Sequence, residues 1–372
     1  MNQKRVMQPL SWPEAFSSRV RPDTVGKVLM AGGLRSLDAP GGGQVQMYSL
    51  LEALRALGVK VRLWRPWEDR LSDVGVIHLF GSHAEHLGLV EAARRQGVPV
   101  VLSPIAWFDP LSYWAEPRGL ARRVAGCVGL MLRAVVPGVP SWRRRLYHGV
   151  DRLLPNSQAE AEQLMRYFHV PPARIQVVPN GADPRFAEGD PEPFARLVGR
   201  RGFVLVPGRI EPRKNQLRLI EAIRRWDFPT VVLGDPVPGH EVYYQRCRRA
   251  AGREVQFIGR LDHKDPLLAS AYAACGCVAL ASYYETPGLV ALEAGMSGTP
   301  LVLPSAGAAP EYFGHFALYV FAWDRRGIER AVQTALARGR SPELAEHVRA
   351  HFSWEAAAVA TLEAYAAVRN DL

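Results

Sequence analysis

Two glutamates and two cations carry the chemistry that stands out in this sequence. Glu285 and Glu293 lie eight residues apart in the segment Ser282-YYETPGLVALEAG, and in a wholly helical segment they would fall within about 80° of each other. Glu285 is expected just before the helix proper. Pro287 suits a first helical turn, and Gly288 lets a backbone approach a ligand with no Cβ in the way. The amides of Gly288, Leu289 and Val290 would then stand at a helix N-terminus, where the dipole and the orphan N–H groups favour a phosphate. Upstream, FVLVPGRIEPRKNQLRLIEAI reads as an apolar strand, a turn carrying Arg209 and Lys214, and an amphipathic helix. Cations at the carboxyl end of a parallel strand sit where such sheets bind anions. A cationic turn, a helix start and two acids able to accept hydroxyls together read as a seat for a nucleotide-linked sugar.

The elements that must position these residues follow a repeating pattern. VGKVLMAGG, VKVRLW, DVGVIHLFG and VPVVLSPIA are apolar strands separated by helical stretches, among them SHAEHLGLVEAARRQG. That alternation predicts a parallel doubly wound sheet with ligand loops at the carboxyl ends of its strands. Gly41, Gly42 and Gly43 are assigned to the loop before a helix, because each would cost about 1 kcal/mol in a helix interior; a flexible turn is the plain alternative to a ligand-lining role. His78 lies inside an apolar strand and reads as a satisfied core histidine, whereas His83 and His86, in the next loop or helix start, are better placed for a ligand. Asn156 and Ser157 are cap candidates for the helix that follows. RIQVVPNGADPRF is expected to add another strand, and AEGDPEPFARLVGRRG, acidic then basic with two prolines, to form a hinge.

At 372 residues, with 48% of them hydrophobic, the chain exceeds the size at which one core usually stops growing, so two domains are expected. It contains no run of eighteen uncharged apolar residues, and its first residues lack a signal-peptide core, so a soluble cytoplasmic protein is expected. Cys127, Cys247, Cys275 and Cys277 lack zinc spacing and read as free, mostly buried thiols. The net charge of +10 makes nucleic acid the first suspect; against it, the arginines are spread along the chain and no nucleic-acid module appears. Arg118, Arg122, Arg123, Arg133, Arg143, Arg144 and Arg145 meet no acid between Glu116 and Asp151. Arg118, Arg122 and Arg133 can share a helical face, with Val124, Val128 and Met131 elsewhere around it. Peripheral contact of residues 117–145 with an anionic membrane is one expectation for this stretch, and a core helix with a solvated face is the other.

Gly208-Arg209 with Lys214-Asn215, the VQFIGRL strand, and Glu285 and Glu293 at E-x7-E spacing, in this order, resemble the retaining family 4 glycosyltransferases of the GT-B fold, and the similarity spans most of the chain. The resemblance implies two Rossmann-like domains, residues 1–187 and 188–354, with a C-terminal helix, residues 355–372, crossing back to the first through Phe352, Ser353 and Trp354. It implies a retaining, metal-independent transfer from a UDP- or GDP-sugar to a glycan or lipid-linked acceptor by front-face displacement, with no cofactor. By resemblance, Arg209 and Lys214 would relieve charge on the departing diphosphate. Glu285 would hold sugar hydroxyls and Glu293 the ribose. Gly42 and Gly43 would lie near the donor phosphates, and Gly259 near the base. Many relatives carry a histidine in the loop equivalent to Ser103–Trp114, and this chain has none between His86 and His148. His83, Trp107 or Asp109 are the candidates to line the acceptor side instead, although a core tryptophan is an equal reading of Trp107. The missing histidine keeps a second reading open, a catalytically silent sugar-nucleotide binder. A phosphorylase or a sugar-nucleotide epimerase of the same fold is a further rival; no lysine stands in a recognisable cofactor setting.

Overall fold

The computed structural model describes residues 20–33, 41–115, 119–286 and 288–370, without the side chains of residues 111, 112 and 115. The expectations placed on residues 1–19, on the run just before Gly41, on Pro117 and Arg118, and on Pro287 lie outside the described residues. Two units emerge. One holds the described residues between 20 and 110 together with 119–181 and 353–370, and the other is built on 182–352.

The first unit runs β1 (Val28–Gly32), α1 (Gly42–Ala56), β2 (Val61–Leu63), β3 (Val76–Phe80), α2 (His86–Arg95), β4 (Val100–Ser103), α3 (Leu120–Val135), α4 (Trp142–Gly149), β5 (Arg152–Leu153) and α5 (Gln158–Phe168). Its described strands form a five-stranded sheet in the order β2-β1-β3-β4-β5, all parallel. Every residue of β3 and β4 is buried, which is why these strands are continuous apolar runs: helices cover both faces, so alternation has no solvent side to serve. The C-terminal helix, Trp354–Asn370, packs on α1, as the sequence predicted. Its buried Ala357, Ala358, Ala360 and Ala364 permit a close approach, and Ser353 Oγ caps it by accepting from the Ala356 amide at 3.1 Å.

The second unit runs α6 (Glu192–Val198), β6 (Val204–Pro207), α7 (Gln216–Ile223), β7 (Thr230–Leu233), α8 (Glu241–Ala250), β8 (Val255–Ile258), α9 (Pro266–Ala274), β9 (Cys277–Ala279), α10 (Leu289–Met296), β10 (Leu301–Pro304), β11 (Ala317–Val320), α11 (Arg325–Arg338) and α12 (Pro342–His351). Six described strands pair in the order β11-β10-β9-β6-β7-β8, again all parallel. In each sheet the strand order reverses once, between β1 and β3 and between β6 and β9. Those are the places where loops diverge to opposite faces and leave a crevice at the carboxyl edge.

Several expectations are corrected. Gly42 and Gly43 are not in the loop but form the first turn of α1, with Gly41 as its N-cap. The penalty for glycine belongs to helix interiors, and the first-turn amides have no intrahelical partner to lose. Residues 175–178 form no full strand: Gln176 and Val178 donate to the carbonyls of Leu153 and Pro155, but Pro155 has no N–H to return a bond and only a bridge at Ile175 results. The supposed hinge carries α6, whose Phe194, Ala195 and Val198 are buried against α9. His86 is buried, its Nε2 lying 3.3 Å from the Phe80 carbonyl oxygen. Of the basic run, Arg145 pairs with Glu91 at 3.0 Å, Arg144 donates to the Phe168 carbonyl and Arg143 lies over Trp142.

His78 is the core histidine the pattern suggested. Its Nε2 is 2.9 Å from Ser103 Oγ and its Nδ1 2.7 Å from Tyr365 OH. Burial pushes its pKa down to about 3, from 6.5. The ring is therefore neutral in the fold, while the unfolded chain takes up a proton near pH 6.5, so the stability linked to it is present above that pH and lost as pH falls toward the folded value. In urea unfolding, the advantage of the wild type over His78→Gln should shrink by about 1.4 kcal/mol per pH unit below about pH 6. A gap that stays constant across that window would contradict a buried neutral ring.

Candidate functional site

Gly208, Lys214, Glu285 and Gly288 come together at the β6/β9 crevice, with Arg209 at its rim. β6 ends at Pro207 and leads into Gly208 and Arg209; a short 3-10 turn, Pro212–Lys214, then brings the chain to α7. Asn215 holds this turn: its φ of 56° ends it in the left-handed region, and its Nδ2 donates to the carbonyls of Ala281 at 2.9 Å and Ala322 at 2.8 Å. Asparagine tolerates that backbone better than most residues. From the other side, β9 leads to Ser282, and the Tyr283 amide donates to the Arg213 carbonyl at 3.0 Å. Thus the loops after β6 and β9 are tied together before any ligand arrives.

At the centre, Lys214 Nζ lies 2.6 Å from Glu285 Oε1 and 2.9 Å from Oε2, and Ser282 Oγ donates to Oε1 at 2.6 Å. The Glu285 backbone bridges Gly307, whose φ is 108° and where a Cβ would lie 2.1 Å from the Glu285 carbonyl oxygen; only glycine fits. Burial alone would raise the Glu285 carboxyl, but Lys214 and Arg213, with the hydrogen bonds from Lys214 and Ser282, hold it below the usual carboxylate range. Burial pulls the Lys214 ammonium down from its ordinary value, Glu285 opposes that and Arg213 adds to it.

Around this pair, Gly208 and Gly288 mark the two edges. A Cβ on Gly208 would sit 3.7 Å from Lys214 Cε, and one on Gly288 3.5 Å from Glu285 Oε2. Gly288 is the N-cap of α10 with φ of 76°, and no side chain caps that end. The amides of Leu289 and Val290 occupy its first turn, with the Leu289 side chain buried. Glu211 accepts from Arg213 at 2.8 Å and from Arg209 at 3.5 Å. The charges of Arg213, Arg209 and Lys214 outweigh burial and hold Glu211 below its ordinary range. Arg209 remains 41% exposed at the rim.

Glu293 is placed differently. Its Oε1 is 2.9 Å from His263 Nε2 and its Oε2 accepts from Tyr272 OH at 2.7 Å, so the two acids of the E-x7-E pattern have separate partners. Gly259 follows β8 beside Asp235, whose Oδ1 accepts from the Arg260 amide at 3.2 Å.

The remaining candidates belong to the first unit. His83 follows β3 at the β1/β3 crevice, where a Cβ on Gly33 would fall 2.4 Å from its ring. Trp107 and Asp109 lie on the loop after β4, which α5 holds by Glu160 accepting from Ala106 N and Gln163 from Phe108 N, each at 2.6 Å. Gly43 lies near Ile105 of the same loop, whose φ of 47° is unusual for a β-branched residue.

Sequence reasoning missed Glu211, Arg213, Ser282, His263, Tyr272 and Gly307 as parts of this arrangement. The glycine in the PSAGAAP run after β10 was the readable signal for Gly307. The others are ordinary polar residues whose partners are distant in sequence.

Residues 193–349 match the family Glycosyl transferases group 1, and residues 65–186 match Glycosyltransferase Family 4. The chain is 31% identical over 309 residues to a D-inositol 3-phosphate glycosyltransferase of Stackebrandtia nassauensis, covering 74% of this chain and 70% of that protein. It is 30% identical over 264 residues to a glycogen synthase of Mycobacterium tuberculosis, covering 67% of this chain and 61% of that one. Among solved structures it resembles a sucrose-phosphate synthase from Thermosynechococcus elongatus, with a TM-score of 0.72 at 20% identity over 93% of this chain and all of that one. It also resembles Anabaena HepE in complex with UDP and glucose, with a TM-score of 0.66 at 17% identity over 91% of this chain and 99% of that one.

The buried pair generates its own test. Lys214→Met should cost about 3–5 kcal/mol, because it strands a buried carboxylate, and adding Glu285→Gln should restore part of the loss. Urea unfolding of the two single variants and the double variant measures the coupling; strictly additive losses would mean the pair is not coupled in solution.

Proposed function

The chain belongs to the group 1 glycosyltransferases of the GT-B fold, and on that premise we propose that it moves a sugar from a UDP- or GDP-linked donor to a hydroxyl of a glycan or lipid-linked acceptor, with retention of anomeric configuration. The observation that carries this reading is the continuity of Gly208, Lys214, Glu285 and Gly288 at the carboxyl edge of β6 and β9. A cation, a fixed acid and an uncapped helix start meet there, which is what a sugar joined to a diphosphate needs.

In this reading Arg209 forks onto diphosphate oxygens from the rim, while Lys214 supplies a compact charge beneath. Lys214 has three N–H donors, so its contact with Glu285 leaves capacity for a phosphate oxygen. The Gly288, Leu289 and Val290 amides add donors already oriented, with no rearrangement needed as charge develops. Glu285 positions hydroxyls of the donor sugar and Glu293 those of the ribose, with Gly259 bordering the base. Gly42 and Gly43, at the first turn of α1, are assigned to the donor phosphates, and His83, Trp107 and Asp109 to the acceptor side.

The bond from the anomeric carbon to the leaving phosphate oxygen breaks, and the acceptor oxygen forms its bond on the same face. The departing diphosphate takes the acceptor's proton. That Lys214 and Ser282 occupy both oxygens of Glu285 supports this acid as a holder of hydroxyls rather than a nucleophile. The cationic pair of Arg209 and Lys214 takes the part a divalent ion could play, so a metal is not required.

A thermal-shift screen of UDP-, GDP- and ADP-sugars tests donor binding, since a ligand of the native state stabilises it in proportion to occupancy. At least one UDP- or GDP-sugar should raise the melting temperature, and Arg209→Ala, at a rim position, should weaken that response about tenfold in donor concentration. Turnover should persist in EDTA, and NMR of the first-formed product should show the donor's anomeric configuration. An inverted product would refute the same-face displacement; binding without transfer or hydrolysis would leave a sugar-nucleotide binder.

A further inference from the structure

Glu285 is locked by a lysine, whereas the side-chain bonds to Glu293 come from an imidazole and a phenol. His263 Nε2 lies 2.9 Å from Oε1, and Tyr272 OH donates to Oε2 at 2.7 Å. A carboxylate offers about four lone-pair sites, two on each oxygen, so one site per oxygen is left. Two acceptors side by side match two hydroxyls on neighbouring carbons, the pair that a ribose carries and a 2′-deoxyribose lacks. The Glu293 side chain is 7% exposed and that of His263 26%, so the acid is set into the wall of the unit with its imidazole partner nearer the surface. Burial, with Glu293 adding to it, pushes the Tyr272 phenol well above its ordinary range. Its proton therefore stays in place to be donated.

His263 stands on the loop after β8, and a second set of contacts in the same unit decides which way its ring faces. Arg185, on the short 3-10 turn Pro184–Ala187, donates to the His263 carbonyl oxygen, and the same Nη2 lies 3.4 Å from His263 Nδ1. A guanidinium has donors only and keeps its protons, so Nδ1 must accept. The ring hydrogen is thereby left on Nε2, facing Glu293. Asp183 holds the arginine in turn: its Oδ1 accepts from the Arg185 amide at 3.0 Å and its Oδ2 lies 3.5 Å from Arg185 Nε. Phe186, wholly buried on the same turn, meets the rings of His263 and Tyr272 edge-on, at 5.8 Å and 5.6 Å between centroids. The turn packs on α9, which carries Tyr272, and on α10, which carries Glu293. One anchor thus orients both donors to the acid. We propose that His263, with Arg185 behind it, and Tyr272 are positioning residues that hold Glu293 ready for the paired hydroxyls of a ribose, and that the chain therefore selects ribonucleoside over 2′-deoxyribonucleoside diphosphates. This selectivity rests on the reading of Glu293 as the ribose holder. A site rejects an analogue lacking a hydroxyl only where the acceptor is built to meet that hydroxyl, and a carboxylate free to turn would not be.

Isothermal titration calorimetry of the full chain with UDP, GDP and their 2′-deoxy counterparts reads the ratio of affinities. Wild type should bind UDP or GDP at least about tenfold more tightly than the matching deoxy compound. His263→Ala should cut that ratio to about threefold or less, and so should Tyr272→Phe, which removes only the phenol oxygen. His263→Gln, whose amide can donate from the Nε2 position, should restore most of it. A merely structural role would weaken all four ligands alike and leave the ratio unchanged, and that result would overturn the proposal. So would an Nδ1–H tautomer of the His263 ring in nitrogen-15 NMR, the signal being identified by its loss in His263→Gln. Wild type that binds a diphosphate with no preference for ribose would remove Glu293 as the ribose holder, and the proposal with it, while the diphosphate seat at Lys214 would stand. Binding of neither diphosphate would overturn the donor reading as well.

Discussion

A lysine and a glutamate that share a buried position hold the candidate site together. Taking both charges out of water costs several kcal/mol per ion, and the cost is tolerable only where the geometry leaves few atoms unsatisfied. Here both oxygens of Glu285 take the Lys214 ammonium and one also takes Ser282 Oγ. The pair ties the turn after β6 to the loop after β9, the two neighbouring strands at which the sheet order reverses. That constraint explains the backbone around it: a left-handed Asn215, a glycine at 307 against which the Glu285 chain presses, and Arg213 donating to the Tyr284 carbonyl at 3.2 Å.

A crevice so tied is fixed in advance. Donors and acceptors that do not need to reorganise act most strongly on charge that develops during a reaction, and the loops carrying Lys214 and Glu285 are latched by backbone bonds as well as by the ion pair. Glu211 extends the arrangement outward, bonded to Arg213 and Arg209. A buried network thus ends in an exposed side chain at the rim. Glu293, eight residues beyond Glu285, instead closes a separate set of bonds with His263 and Tyr272.

The alternation of apolar strands and helices was legible because parallel strands covered on both faces must be continuous apolar runs, and β3 and β4 are such runs. That Gly208, Lys214, Glu285 and Gly288 would come together was legible because they stand at the carboxyl ends of two apolar strands and at a helix start. What could not be read depends on distant partners or on local geometry. Ser282 and Arg213 acquire their roles only when two loops meet. Gly42 was assigned to a loop by a rule that holds for helix interiors and not for first turns. The 187–202 stretch looked like a hinge because its composition is polar, yet Phe194 inside it supplies an anchor that α9 buries. In α3 the periodic apolar spacing was readable, but not the side on which the body of the protein would lie.

The basic residues divide by position. Many arginines sit in exposed pairs such as Arg65 with Glu68 and Arg349 with Glu346, both at 2.7 Å, and pairs of that kind contribute little. Others are spent on backbone carbonyls: Arg340 alone donates to those of Ser297, Tyr272 and Cys275. Arg209, Arg213 and Lys214 gather at the crevice, where the acids beside them, Glu211 and Glu285, number one fewer than the cations. The crevice thus holds one of the ten net positive charges, and the remainder is distributed along the chain.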